Sequence, residues 1–185
     1  MIRDKRSHLD RTRQMIVFAM LGSIMFVSKV VMEFLPNLHL VGVLTIVYTL
    51  VYRSRALIPI YVFVLLNGLY AGFQIWWIPY LYIWTVLWGI TMLLPRNMPK
   101  KIAIPVYMTL CALHGLAFGV LYAPFQALAF GFSFEQTVAW ILAGLPFDLI
   151  HTVGNLALGT LILPLSELLR KMETKFSPST RNGER

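Results

Sequence analysis

Charged residues are scarce in this chain. Only 13% of its 185 residues are Asp, Glu, Lys or Arg, whereas 58% are hydrophobic. A soluble domain carries roughly 25% charged residues, because its surface has to be hydrated. The shortage therefore excludes a soluble fold and indicates that lipid is the solvent. We expect a single membrane domain, with room for roughly five to seven spans of about 20 apolar residues each.

Cysteines and catalytic motifs are also lacking. Cys111 is the only cysteine, which excludes an intrachain disulfide and a multi-cysteine metal site. The sequence contains no glycine-rich phosphate loop and no motif for a serine or cysteine nucleophile. His39, His114 and His151 lie on different apolar runs, at spacings that do not suggest a catalytic pair. We therefore expect no enzyme activity, no cofactor and no metal site.

Long apolar runs make up most of the chain, and prolines and basic residues separate them. They predict an all-α membrane protein, a bundle of six transmembrane helices over residues 14–35, 39–52, 56–73, 76–94, 102–122 and 137–165. The second run is short for a crossing. Residues 123–136, which contain a proline and a glycine, are predicted to form a long outer loop with a short interfacial helix. The bundle thus spans residues 14–165, between a basic segment over 1–13 and a basic tail over 166–185.

Lysine and arginine residues are distributed unevenly over this map. Of the 16, only Lys29 lies within a predicted span, and the other 15 all fall on one side of the six-span arrangement. The positive-inside rule makes that side cytoplasmic. We therefore predict that both termini are cytoplasmic and that the chain resides in a cell membrane, as a multi-pass protein of a bacterial plasma membrane. The net charge of +8 then reflects topology and contact with the lipid bilayer, and we expect no nucleic-acid partner.

Polar side chains at membrane depth are costly and therefore mark candidate functional positions. Asp148, His151 and Asn155 share one face of the sixth predicted helix, in its outer half. This face has to avoid lipid, either through interhelical hydrogen bonds or by lining a ligand pocket. Lys29 and Glu33 lie four residues apart near the outer end of the first helix. They form either an ion pair or one wall of an outer pocket.

Aromatic residues crowd the fourth predicted helix. Trp77, Trp84 and Trp88 lie at helical offsets on one face, with Tyr80 close to the same face. Aromatic residues at the ends of a span usually form an interfacial belt. A stripe that continues inward would instead offer a stacking surface for a flat ring. The sequence leaves both interpretations open.

These features together resemble the substrate-binding S components of energy-coupling factor (ECF) vitamin transporters. The resemblance covers roughly residues 12–170. It rests on size, six spans, basic cytoplasmic ends, a short second span and a long outer loop between the fifth and sixth spans. It also rests on the run LPFDLIHTVGNLALGTLILPL at 145–165, because S components typically carry a proline and polar residues near the outer start of that helix.

The resemblance implies a function and a set of partners. An S component captures a vitamin or a related ring-bearing micronutrient at the outer side, and it works with a scaffold membrane subunit and two ATPase subunits. The implied binding residues are Trp77, Tyr80, Trp84, Asp148, His151 and Asn155, with Asn37 and His39 as a lid; Lys29 and Glu33 complete the candidate pocket. The family often docks its scaffold through two alanines at a small-x-x-x-small spacing on the first span. Here Ala19 and Ser23 occupy that spacing.

Two other classes of function are compatible with the sequence. Another small membrane transporter would usually need polar residues through both halves of the membrane, whereas those found here gather in the outer half. A non-transporting assembly protein would need no polar stripe on the last helix.

Overall fold

In a computed structural model the chain is helical over most of the residues that the structure describes, 2–35 and 37–176. The α-helices are α1 (Ile2–Val31), α2 (Val41–Tyr52), α3 (Leu57–Ala71), α4 (Tyr80–Leu93), α5 (Lys100–Leu116), α6 (Phe118–Phe130), α7 (Phe134–Leu158) and α8 (Ile162–Phe176). Short 3-10 turns precede α3, α4 and α8. No strand occurs in these two ranges, and the prediction of an all-α protein is confirmed.

Five helical stretches in the described part of the chain are long and apolar enough to cross a membrane. They are Arg11–Val31, Val41–Ala71, Ile75–Leu93, Lys100–Phe130 and Phe134–Lys175. Between 17% and 39% of the residues in their most apolar windows are buried within the protein. Most of this apolar surface therefore faces outward, where only lipid can cover it favourably. This is the pattern of a multi-pass membrane protein.

Helix α2 runs antiparallel to α1. The ring of Tyr52, at the end of α2, lies 5.0 Å from that of Phe18 between centroids. One turn earlier, the Tyr48 hydroxyl donates a hydrogen bond of 2.9 Å to the carbonyl of Leu21. Every residue of α2 from Val41 to Leu50 is buried. The 12 residues of α2 extend about 18 Å, so α2 is a short core helix enclosed by its neighbours.

Helix α3 turns back and runs parallel to α1. Gly22 of α1 packs against Val62, and the Phe26 ring lies 5.5 Å from that of Tyr70 between centroids. Residue numbers therefore increase in the same direction along α1 and α3. The stretch Val41–Ala71 therefore contains a reversal of chain direction between α2 and α3.

Arg53 forms the turn at this reversal. Its φ is 56°, a left-handed conformation that is uncommon for a residue other than glycine. Its carbonyl accepts a hydrogen bond of 3.0 Å from Trp88 Nε1, and its guanidinium donates one of 2.6 Å to the carbonyl of Met92. These two bonds from α4 hold the turn. We use "inner end" for the end of the bundle with this turn, and "outer end" for the end with the connections at 32–40, 72–79 and 131–133.

The predicted long outer loop at 123–136 is wrong. Helix α6 continues to Phe130, and α7 begins at Phe134, so the connection has only three residues. Pro124 lies inside α6, which membrane helices tolerate because neighbouring groups can satisfy the freed carbonyl. Gly131, with a φ of 66°, ends the helix. Ser133 then caps α7, because its hydroxyl accepts a hydrogen bond of 3.2 Å from the backbone N–H of Gln136.

The predicted sixth span and tail also have different limits in the structure. Helix α7 ends at Leu158, and α8 carries the chain on to Phe176. Helix α8 is fixed to α2, because the Tyr52 hydroxyl donates a hydrogen bond of 2.7 Å to Glu173, and Arg170 donates one of 2.9 Å to the carbonyl of Leu50. The rest of the predicted tail, 177–185, lies outside the described residues.

Candidate functional site

Three histidines from different parts of the chain lie in one cluster of rings with a tryptophan inside the bundle. The Trp84 ring of α4 lies 6.1 Å from the His39 ring and 5.5 Å from the His114 ring, between centroids. The His39 ring in turn lies 4.9 Å from the His151 ring of α7. Trp84, His114 and His151 are 1%, 5% and 3% exposed. The sequence placed these histidines on separate runs, and the tertiary structure brings them together.

Two further rings complete this group. Phe118, at the start of α6, lies 5.2 Å from His151 and 5.9 Å from Trp84. Tyr80 lies 5.7 Å from Trp84. We call these six residues the central ring cluster: His39, Tyr80, Trp84, His114, Phe118 and His151.

Several polar atoms of the central ring cluster are buried without a hydrogen-bond partner in the described part of the chain. They are His39 Nδ1, Trp84 Nε1, His114 Nδ1 and His151 Nε2. Buried polar groups are almost always paired, and one left unpaired costs about 1–3 kcal/mol. Such atoms within one cluster of contacting rings therefore mark a place where a polar guest would be stabilised.

Asn67 adds a buried amide on α3. Its side chain is fully buried, and neither its Nδ2 nor its Oδ1 has a partner among the described residues. One helical turn away, the Phe63 ring lies 6.0 Å from that of Trp84. The amide thus offers a donor and an acceptor close to the central ring cluster.

Asp148 and Asn155 fasten α7 to its neighbours. Asp148 Oδ2 accepts a hydrogen bond of 3.1 Å from the backbone N–H of Gly119. That group lies in the first turn of α6, where N–H groups lack helical partners and a negative charge is favourable. Asn155 Nδ2 donates a hydrogen bond of 3.0 Å to the carbonyl of Cys111 on α5. Of the predicted polar face, His151 alone places its side chain in the central ring cluster.

The residues of the predicted aromatic stripe contact different parts of the bundle. Helix α4 begins at Tyr80, and Trp77 belongs to the 3-10 turn that leads into it. Trp77 Nε1 instead donates a hydrogen bond of 2.8 Å to the carbonyl of Val64. Trp88 lies at the inner end, on Arg53. Tyr80 and Trp84 are the stripe residues that reach the central ring cluster.

The connection between α1 and α2 folds over α7 at the outer end. Asn37 Nδ2 donates a hydrogen bond of 3.3 Å to the carbonyl of Phe147, and Leu38 packs directly on Gly154. Because these two contacts hold the connection down, the next residue, His39, turns its ring inward against His151.

Lys29 and Glu33 do not form the predicted ion pair. Helix α1 ends at Val31, so the two residues are no longer one turn apart on a helix. Glu33 is exposed in the turn that follows, and no ion pair joins them in the part of the chain that the structure describes.

An open groove of about 840 Å³ lies at the outer end, beside the central ring cluster. It is lined by Phe73, Gln74, Ile75, Trp76, Tyr122, Gln126, Phe130 and Trp140. The Tyr122 ring stacks on that of Trp140 at 6.0 Å, and its hydroxyl donates a hydrogen bond of 2.6 Å to the carbonyl of Trp76. The Trp76 ring lies 5.7 Å from that of Tyr80. Aromatic rings therefore connect the outer groove with the central ring cluster.

Sequence reasoning missed His114 and Phe118 as site residues. They lie four residues apart, but α5 ends and α6 begins between them. A histidine at membrane depth was itself a usable signal, because such residues are rarely placed there without a role.

Within the described residues, no group of three or more His, Cys, Asp or Glu side chains is arranged to hold a metal ion. Comparison of the chain with protein-family models, curated proteins and solved structures found no match.

Proposed function

We propose that this chain is the membrane-embedded substrate-binding subunit of an ECF-type importer. It captures a vitamin or a related small ring-bearing micronutrient from the outer side. The observation that carries the proposal is the central ring cluster, where four buried polar atoms lack partners among the described residues. Aromatic faces stack on a flat ring, and a few convergent polar atoms orient it, which is the usual character of a small-molecule site.

The substrate reaches this cluster from the outer groove. In the structure the rings of the cluster lie against one another, so a guest has to separate them. Such opening is a shift toward a less populated conformation that the ligand stabilises. The aromatic rings from Trp76 to Trp84 supply stacking partners along this route.

The chain crosses the membrane six times in this proposal, with both termini in the cytoplasm of a bacterial plasma membrane. The reversal at Arg53 supports it, because it divides Val41–Ala71 into two short helices of opposite direction. The one-sided distribution of lysine and arginine supports the orientation.

Cysteine labelling tests this topology. A cysteine at Ser133, in the connection between α6 and α7, is expected to react fully with a membrane-impermeant maleimide added to intact cells. A cysteine at Thr180 is expected to react only after the cells are opened. The unaltered chain is the matched control, because its only cysteine, Cys111, is buried. Reaction of the Thr180→Cys variant in intact cells would contradict the topology.

ATP hydrolysis belongs to separate subunits in this proposal, and a scaffold subunit joins them to this chain. The surface of α1 supports a docking site at Ala19 and Ser23. Both are exposed, whereas Gly22 between them faces α3. Small exposed side chains allow a partner helix to approach closely in a membrane.

Bulky substitutions on α1 test the partner and the function together. Ala19→Trp and Ser23→Trp are each expected to reduce co-purification with the scaffold at least about tenfold, as overpacking at a helix contact does. Ligand retention by the isolated chain should not change. Leu65→Trp, at an exposed position of α3, is the control. ATP-independent uptake by this chain alone in liposomes would contradict the proposed importer.

A further inference from the structure

A second polar cleft lies at the inner end, between the start of α5 and helix α8. Its volume is about 400 Å³. Its polar lining comprises Arg96, Asn97, Lys100, Tyr107, Ser166, Glu167 and Arg170. Three of these side chains are cations and one is an anion, so the cleft carries a net positive charge. None of them belongs to the central ring cluster or to the outer groove.

Tyr107 places its phenol in the wall of this cleft. Its side chain is only 5% exposed, and it is one of the residues that line the cleft. Arg170 lines the same cleft. Because one N–H group of Arg170 is bound to the carbonyl of Leu50 at 2.9 Å, the guanidinium is held in place beside the cleft.

The start of α5 adds to the attraction for an anion. Helix α5 begins at Lys100 without a side-chain cap, and the free N–H groups of a helix N-terminus favour a negative charge. Lys100 Nζ lies 2.8 Å from Glu167, and its side chain is 71% exposed. Lys100 can therefore turn from Glu167 to a guest without losing a buried contact.

We propose that this cleft binds a phosphate group through Arg96, Lys100, Arg170 and the Tyr107 hydroxyl. The group is carried by the headgroup of an anionic phospholipid or by a soluble molecule. Tyrosine and arginine donors together suit the unprotonated oxygens of a phosphate group, which accept hydrogen bonds. The proposal does not depend on the importer function, because none of its residues takes part in the central ring cluster.

Two binding measurements on the purified full-length chain in detergent distinguish these sources. Native mass spectrometry counts the phosphatidylglycerol molecules that the chain retains in an excess of phosphatidylcholine. In the second measurement inorganic phosphate is added stepwise, and binding is detected as a change in the unfolding temperature. Retention of phosphatidylglycerol without a response to phosphate assigns the site to lipid. A response to both assigns it to the phosphate group itself.

Matched variants test the site. Lys100→Gln is expected to weaken binding about fivefold, because a charged donor that contacts the phosphate inside the cleft is lost. Lys101→Gln, at an exposed neighbour outside the cleft, should have no effect. Tyr107→Phe should weaken binding about tenfold, because a hydrogen bond to a charged group is lost, and should leave the unfolding temperature of the unliganded chain unchanged. Glu167→Gln should strengthen binding severalfold.

The proposal is overturned if Lys100→Gln and Lys101→Gln weaken binding equally in both measurements, which would indicate a non-specific basic surface. It is also overturned if Tyr107→Phe binds both probes as the unaltered chain does. A failure of the importer function would leave these binding measurements unaffected.

Discussion

Trp84→Phe is expected to separate ligand binding from stability. The phenyl ring keeps an aromatic face inside the central ring cluster but removes the Nε1–H group, which has no partner within the described residues. Because no protein hydrogen bond is lost, the unfolding temperature of the unliganded chain should fall only slightly. Binding of a polar ring should weaken about tenfold or more, since removal of a hydrogen bond to a polar guest costs about 1–3 kcal/mol.

Trp84→Ala is expected to have a larger effect on both properties. Trp84 is among the largest fully buried side chains of the chain, and truncation of a core tryptophan costs about 3–5 kcal/mol of the free energy of unfolding. The stacking surface for a ligand is lost as well. Comparison of the two variants therefore separates loss of the N–H donor from loss of the ring.

Native mass spectrometry of the purified chain, searched for a co-purifying small molecule, gives the first measurement. Titration of the same molecule into the variants then gives affinities. Trp88→Phe is the matched control, because Trp88 lies on the same helix at the inner end, with its Nε1 on the carbonyl of Arg53 at 3.0 Å. It should lose some stability and keep full affinity. Equal retention of ligand by Trp84→Phe and Trp88→Phe would contradict a binding role for the Trp84 N–H group.

Gly115→Ala is expected to destabilise the bundle by about 1–3 kcal/mol, the usual cost of overpacking. A Cβ atom at Gly115 would lie 2.9 Å from Asn155 Nδ2 and 3.1 Å from both the backbone carbon and the carbonyl oxygen of His151. The backbone of α7 cannot yield without moving away from α5. The variant should therefore also shift His151 relative to His39 and weaken ligand binding.

Gly144→Ala is the matched control for this substitution. Gly144 lies on α7, and a Cβ atom there would meet nothing within 4 Å. Alanine favours a helix over glycine by about 0.8–1 kcal/mol, so this variant should be neutral or slightly more stable. The measurement is denaturant unfolding in detergent micelles, followed by tryptophan fluorescence. If both variants changed the free energy of unfolding in the same direction, the close packing of α5 on α7 would not explain the effect of Gly115→Ala.

Parts of this architecture follow from the sequence because they depend on composition and local pattern. Long apolar runs with 13% charged residues require lipid-facing helices, since lipid cannot satisfy an open backbone. The polar face of Asp148, His151 and Asn155 was expected to avoid lipid, and all three are buried. The short, enclosed second helix was visible as a short run that ends at Arg53.

Helix limits and side-chain partners were decided by tertiary contacts. Pro124 and Gly131 predicted a loop from local propensity, yet α6 runs from Phe118 through Pro124 to Phe130, because α7 packs alongside it and Asp148 binds its first turn. Helical offsets placed Trp77 with Trp84, but the chain starts α4 only at Tyr80, and Trp77 turns to α3.

The sequence by itself determined that this chain is an all-helical membrane protein with buried polar residues. It did so because hydropathy and helical periodicity show which side of a helix avoids lipid. Only the tertiary structure decided which residues meet. The meeting of His39, His114 and His151 around Trp84 depends on the heights and rotations of four chain segments. Those are fixed by close contacts such as Gly115 on α7 and Leu38 on Gly154, and a one-dimensional pattern does not encode them.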